Sequence, residues 1–387
     1  MLLAHLPEPW CAGWAPFARS LEKGAAGLGL APLAGFAGWL ADELELACPG
    51  APPIEQAVAG VLGGPVAAEP LTEGPFARLV RLVPGSSGGR RPRALLVAPC
   101  SGYAASVLAE LAATLLLGAE LAVLEWRDAR LVPAAAGPWG AAEQAAEAGA
   151  AVACYRPDLV VAVSQAGDAA LAACLAARAA GPDGPAGLVL LGTPMLPEHA
   201  PTALQRSLAL VPEATLAALC LVRVAGGWPG SGRLVFPGRL QLSTVAASDP
   251  WSYGAVRLGA LAERLDGRAG PRSRALSDLH ALQDVPGELW SDLVARLRAS
   301  TPALGEPARA ASAGLALLTV EAAADQLVGS GQTHGLHERL APGRVPRARL
   351  TLPGAAHPDL FTGPTFRALL APRLLGFLAT LADRRAG

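Results

Sequence analysis

The pattern of apolar positions changes character twice along the chain. From residue 1 to about 90 apolar residues recur at helical spacing, most clearly between Trp14 and Leu46, and predict a mostly helical N-terminal segment. From residue 91 the pattern becomes short, unbroken apolar runs separated by helix-forming stretches. Runs at 94–98, 121–125, 159–163 and 188–191 have the length and continuity of strands buried on both faces. Helices are expected between them at 104–117, 141–153 and 166–180. Repeated βα units of this kind predict a parallel, doubly wound sheet. The alternation stops at Pro194. Residues 194–305 carry Pro/Gly clusters, such as Trp228, Pro229, Gly230, Ser231 and Gly232, and helical pieces such as 291–298, so they read as an inserted cap. Strands resume at 315–320 and 348–352, before a terminal helix near 366–381. The expected organisation is a helical extension at 1–90, a core formed by 91–193 and 306–387, and an insertion at 194–305. Residues 85–91 read as a surface loop, because Arg91 precedes Pro92 and is discouraged from helix.

Candidate chemistry appears at the end of the third run. There Val160, Val161, Ala162 and Val163 lead straight into Ser164, Gln165, Ala166 and Gly167. A strand that runs into a serine flanked by small residues, with a helix beginning at once, has the form of a nucleophile elbow. Ala162 and Ala166 stand in place of the two glycines of G-x-S-x-G. Small side chains let strand and helix approach closely while the turn lifts the Ser oxygen above the sheet. The backbone N–H of Gln165, at a helix start, is then available to a developing oxyanion. Asp325 follows the run at 315–320, and His357 lies in the Gly/Ala-rich loop after the last strand. The order Ser, Asp, His and the placement of each after a strand match the α/β-hydrolase arrangement. Ser164 is expected as nucleophile, His357 as base and Asp325 as the residue that orients the base. His334 and His337 are the competing bases. A second oxyanion donor is expected from the loop after the first run, at the backbone N–H of Cys100 or Ser101. Cys100 itself lies on the wrong loop to be the nucleophile.

Composition narrows the function classes. The 387 residues are 52% hydrophobic and 16% charged, with a formal net charge of -1. A large core is possible, and no overall field draws the protein to nucleic acid or an anionic surface. Six cysteines, at 11, 48, 100, 154, 174 and 220, form no CxxC pair and no metal spacing with His, and are expected to be buried, reduced thiols. No cofactor or metal is implied. The N-terminus lacks a basic segment followed by a long apolar run, so no signal peptide is expected. The apolar stretch 104–123 is interrupted by Glu110, Gly118 and Glu120 and predicts helix, turn and strand rather than a membrane span.

Several longer motifs resemble the intracellular polyhydroxybutyrate depolymerases. They are Val97, Ala98, Pro99, Cys100, Ser101, Gly102 and Tyr103; Glu125, Trp126, Arg127, Asp128, Ala129, Arg130, Leu131, Val132 and Pro133; and Ala162, Val163, Ser164 and Gln165. Further matches run through Phe236 to Ser243, Asp284 to Glu288, Leu318 to Glu321 with Gly331, Gln332 and Thr333, and Pro353 to His357. The resemblance implies an α/β-hydrolase fold with a mostly parallel doubly wound sheet and an inserted cap. It also implies hydrolysis of a poly(3-hydroxybutyrate)-type polyester through an acyl-enzyme on Ser164, with Asp325 as the acid and His357 as the base. The partners implied are a polyester chain or granule surface and, as an option, a second copy of the chain, in a cytoplasmic, granule-associated setting. The chain departs from the family at Ser164, where many members carry Cys, and at Tyr103, where His is common. Trp126 to Arg130 are expected to form a structural loop in which Asp128 pairs with Arg127 or Arg130. Competing functions are a carboxylesterase for small soluble esters, a non-catalytic granule-binding homologue, and an acyltransferase of the polyester-synthase type. The last uses Cys at the elbow, so Ser164 speaks against it.

Overall fold

A computed structural model describes residues 8–45, 52–85, 91–181, 183–248, 250–267, 280–301 and 303–386, together with 270, 272, 273 and 276. The N-terminal residues 1–7, Cys48 and most of the predicted loop at 85–91 lie outside the described residues. Eleven strands occur among the described residues: β1 (Val66–Glu73), β2 (Ala77–Pro84), β3 (Arg93–Val97), β4 (Glu120–Trp126), β5 (Leu159–Val163), β6 (Gly187–Leu191), β7 (Val222–Arg223), β8 (Leu234–Phe236), β9 (Val285–Pro286), β10 (Ala316–Ala322) and β11 (Arg347–Leu352). The chain divides into two compact units. The larger comprises Pro52–Arg127, Trp139–Leu216 and Glu288–Gly387, and the smaller Met1–Ala51, Asp128–Pro138 and Ala217–Gly287.

The larger unit is built on an eight-stranded sheet in the order β1-β2-β4-β3-β5-β6-β10-β11. From β4 to β11 every neighbouring pair is parallel, while β1 pairs with β2 and β2 with β4 antiparallel. The predicted runs form the central strands because they have no polar face to give to water. All residues of β5, β6 and β10 are buried. Helices Ala141–Tyr155 and Gly167–Ala180 supply the crossovers the alternation predicts. The expected helix at 104–117 is two helices, Ala104–Val107 and Ala109–Gly118.

The N-terminal ninety residues are not helical throughout. Residues 66–84 form the β1–β2 hairpin, closed where the Gly74 N–H donates to the Ala77 carbonyl at 2.8 Å. Its first strand is mostly exposed and interrupted by a register shift between Pro70 and Thr72. Pro is compatible with such an edge position, where its missing N–H breaks no ladder bond. The strand therefore lacks the continuous apolar signature of the central ones.

In the smaller unit, helices Glu8–Gly27 and Ala31–Glu45 group with helix Pro250–Leu265. Gly35 lies so close to Arg264 that a Cβ would stand 2.4 Å from its carbonyl oxygen. The inserted segment is thus divided: residues 217–287 pair with the N-terminal helices, and residues 194–216 and 288–305 belong to the larger unit. Strands β7, β8 and β9 form an antiparallel sheet. Val224, Trp228, Val235 and Ala129 make a small buried core. Beside it Arg130 reaches Asp128 at 3.0 Å and Asp284 at 3.2 Å, all three buried, with its guanidinium 5.7 Å from the Trp228 ring. Asp128 therefore pairs with Arg130, whereas Arg127 pairs with Glu73. Asp284 also accepts from the Gly238 N–H. Burial, reinforced by the negative charge of Asp128, pushes the Asp284 carboxyl up to about 7. Of the described cysteines, Cys100 and Cys174 are buried, Cys220 is half-buried and Cys154 is exposed.

Candidate active site

Ser164 follows β5 without a spacer residue and opens a single 3-10 turn, Ser164–Ala166, before helix Gly167–Ala180. Its φ is +53°. A serine held in the left-handed region costs about 1–3 kcal/mol and persists only where its surroundings over-determine it. The strain comes from the sharp reversal between strand and helix. Ala162 and Ala166 are fully buried, as close approach of strand and helix requires. Gly167 makes the tightest approach: a Cβ there would stand 2.8 Å from Thr193 Cβ and 2.8 Å from Met195 Sδ.

Asp325 and His357 meet although 32 residues separate them. β10 and β11 pair in register up to Ala322 and Leu352. The pairing then continues through their loops, with the Ala323 N–H donating to Leu352 O at 3.0 Å and the Ala324 N–H to Ala355 O at 2.8 Å. These bonds bring the acid loop alongside the base loop. His357 Nδ1 lies 2.6 Å from Asp325 Oδ2. The other carboxylate oxygen, Oδ1, accepts from the Leu327 N–H at 2.8 Å and the Val328 N–H at 3.0 Å. Both oxygens are thereby committed, and the side chain is 2% exposed. A carboxylate fixed in this way selects the His tautomer that carries its proton on Nδ1 and leaves Nε2 as acceptor. Phe361 packs edge-on against the imidazole, with ring centroids 5.6 Å apart.

The imidazole reaches back across the sheet. Gly192, directly after β6, has φ +54° and lies under the His357 ring: a Cβ there would stand 2.9 Å from Cε1 and 3.1 Å from Nδ1. β6 is the strand hydrogen-bonded to β5, with Leu191 opposite Val163. The ring of a residue that follows β11 thus rests on the strand end next to Ser164. Ser164, Asp325 and His357 all lie at the carboxyl ends of parallel strands, where open α/β sheets place their sites.

The two loops expected to supply oxyanion donors also meet. Gln165 Nε2 donates to Ser101 Oγ at 3.2 Å, and Gln144 Nε2 to Cys100 Sγ at 2.8 Å. Cys100 is fully buried, and burial pushes its thiol far above its ordinary value, so it stays protonated and non-nucleophilic. The competing histidines are engaged elsewhere. His334 Nδ1 and His337 Nε2 share the Thr319 hydroxyl at 2.7 and 2.9 Å. Burial lowers both, His337 to about 4. Among the described residues no group of His, Cys, Asp and Glu has the arrangement of a metal centre, and no helix is long and apolar enough to cross a membrane.

Sequence reasoning missed Gly192 and Thr193. A lone glycine followed by threonine at the end of β6 carries no motif, and only the packing of a distant imidazole gives it meaning.

No protein-family model matches the chain, and no curated protein does. Solved structures do. The lip1 protein of Acinetobacter baumannii AYE, assigned as a lipase, is 14% identical, with 87% of this chain and 99% of that chain covered at a TM-score of 0.50. An α/β-hydrolase fold protein from Nakamurella multipartita is 16% identical over 81% of this chain and 99% of its own, at a TM-score of 0.44. The carboxylesterase CesB of Bacillus subtilis is 12% identical over 84% and 97%, at 0.45. At 14% identity the likeness to the lip1 protein speaks for the fold alone, and it agrees with the mostly parallel sheet and its crossover helices: the chain has the α/β-hydrolase fold.

Proposed function

We propose that the protein is a serine hydrolase of carboxylic esters that acts through an acyl-enzyme on Ser164. The observation that carries this reading is the 2.6 Å His357–Asp325 pair on the strand end beside a strained serine. His357 Nε2 takes the proton from Ser164 Oγ as that oxygen attacks the ester carbonyl carbon. The negative charge that develops on the carbonyl oxygen is received by the Gln165 N–H and by the N–H of Cys100 or Ser101. Collapse of the tetrahedral intermediate expels the alcohol, which takes the proton from His357. Water, deprotonated by the same imidazole, then attacks the acyl carbon and frees the acid and Ser164.

The substrate class is a poly(3-hydroxybutyrate)-type polyester, met as a granule surface in the cytoplasm. Two features support this choice. One is the set of motifs shared with the polyhydroxybutyrate depolymerases. The other lies in the smaller unit, where Trp14, Phe17, Leu28, Phe36 and Leu258 are exposed and Trp251 is 88% exposed. So many large apolar side chains in contact with water are what an apolar polymer surface would meet.

The test is an assay of purified protein on amorphous polyhydroxybutyrate granules beside a soluble butyrate ester. Release of hydroxyacid from granules, abolished by Ser164→Ala, is the expected result. Turnover of the soluble ester alone would replace the polyester by small esters. Granule binding with no hydrolysis of either would leave a non-catalytic granule-binding protein.

A further inference from the structure

Glu321 and Thr333 belong to motifs shared with the depolymerases, yet the acyl-transfer steps use neither. Glu321 lies at the end of β10, four residues before Asp325, and is 4% exposed. Its carboxylate accepts three backbone N–H groups: Gly331 on Oε2 at 2.8 Å, and Thr333 and His334 on Oε1 at 2.9 and 2.8 Å. The ring Nε2 of His334 stands 3.6 Å from Oε2. Three donors converging on one buried carboxylate fix the turn at 331–334 firmly, because releasing any of them leaves a buried charge under-bonded.

The fixed turn holds something in its own right. Thr333 Oγ1 accepts from the Thr193 N–H at 3.1 Å and donates to the Thr193 carbonyl at 2.8 Å. One hydroxyl therefore binds both backbone groups of Thr193, whose carbonyl also accepts from the Met195 N–H at 2.8 Å, and both threonines are fully buried. Thr193 follows Gly192, whose backbone supports the His357 ring and whose own N–H donates to Val320 O at 2.9 Å. Asp325 fixes one edge of the imidazole and Phe361 borders another; the Gly192 backbone approaches it so closely that a Cβ there would stand 2.9 Å from Cε1.

We propose that Thr333, anchored by Glu321, is a positioning residue that seats His357 through the Gly192–Thr193 turn. It touches neither substrate nor the reacting atoms. Its function is to keep the turn at the height at which the Asp325-bound imidazole addresses Ser164. This inference rests on the reading of Ser164, His357 and Asp325 as a catalytic set.

Thr333→Val keeps the shape and removes the hydroxyl, leaving the Thr193 N–H without its partner and the Thr193 carbonyl with the Met195 N–H alone. Misplacing a catalytic group by about 1 Å costs up to about 100-fold in rate, so kcat on a soluble ester is expected to fall about 10- to 100-fold with KM unchanged. Labelling of Ser164 by a phosphonyl fluoride should slow by a similar factor. The far-downfield proton resonance of the His357 Nδ1–H bonded to Asp325 should broaden or move. Thr333→Ser, which retains the hydroxyl, should restore all three. If Thr333→Val fails to fold, Gly192→Ala is read instead: its Cβ would meet Leu360 Cδ1 and the His357 ring and should change the same resonance and labelling rate, and unchanged values would overturn the proposal. A folded Thr333→Val protein with wild-type kcat, labelling and resonance overturns the proposal and leaves the catalytic reading intact. A rise in KM alone, or failure of Thr333→Ser to restore kcat, also overturns it. Absence of Ser164 labelling in the wild-type protein would remove the catalytic reading, and this inference with it.

Discussion

Replacing Asp325 by Asn keeps the size of the side chain and removes its charge, and the surroundings dictate how the amide must turn. Oδ1 accepts from two backbone donors, Leu327 N–H and Val328 N–H. If the amide NH2 faced those donors, two part-buried N–H groups would lose their acceptor, at about 1 kcal/mol or more each. The single bond to His357 cannot offset that. The amide oxygen therefore stays with Leu327 and Val328, and the NH2 points at His357 Nδ1. A donor in that place makes Nδ1 an acceptor and moves the imidazole proton to Nε2, the nitrogen that takes the proton from Ser164 in the proposed mechanism. The wrong tautomer is expected to lower kcat by about 10⁴, equivalent to about 5.5 kcal/mol of barrier. The assay is kcat for a soluble butyrate ester, with circular dichroism to verify folding and phosphonyl fluoride labelling to verify the loss at Ser164. A folded Asp325→Asn protein that keeps more than a tenth of the wild-type kcat would refute the tautomer argument and the assignment of Asp325.

Ser164→Gly should abolish turnover and, by relieving the left-handed strain at φ +53°, raise folding stability by about 1 kcal/mol in denaturant titrations; an unchanged or lower stability would show that the elbow stores no strain. His357→Gln should remove most of the activity on a soluble ester while leaving the fold intact by circular dichroism; a folded His357→Gln protein with near-normal turnover would remove His357 from the proposed set. Asp284 tests the smaller unit: its raised pKa means the folded state holds that proton more tightly than the unfolded chain does. Its contribution is therefore most favourable below the ordinary carboxylate range and is lost as pH rises toward about 7. The Tm of Asp284→Asn relative to wild type should accordingly climb between pH 4 and 7, and a constant or falling difference would contradict the cause assigned to the shift. Trp251→Ser together with Phe17→Ser should weaken polymer turnover more than soluble-ester turnover; equal losses on both substrates would count against an adsorbing role for that surface.

The sequence by itself determined the sheet's centre and singled out the residues of the candidate site. Strands buried on both faces must be apolar throughout, so β5 and β6 announce themselves as unbroken runs bounded by helix formers. A serine between small residues at the end of such a run can be read without any neighbour. So can the chain order of Ser164, Asp325 and His357. Elements whose stability comes from elsewhere were not legible. The edge strand β1 is mostly exposed, so its pattern is polar, contains Pro70 and has no continuous apolar signature. The grouping of the N-terminal helices with residues 217–287 depends on a close approach at Gly35, a long-range fit that local periodicity does not encode. At the site, only tertiary structure decided that both oxygens of Asp325 are committed and that His357 rests on Gly192. It also decided that Glu321 and Thr333 stand beneath that support. The physical reason is the same in each case. Propensity and periodicity act over a few residues, whereas a hydrogen bond between groups 32 or 140 residues apart exists only once the sheet register has brought them together.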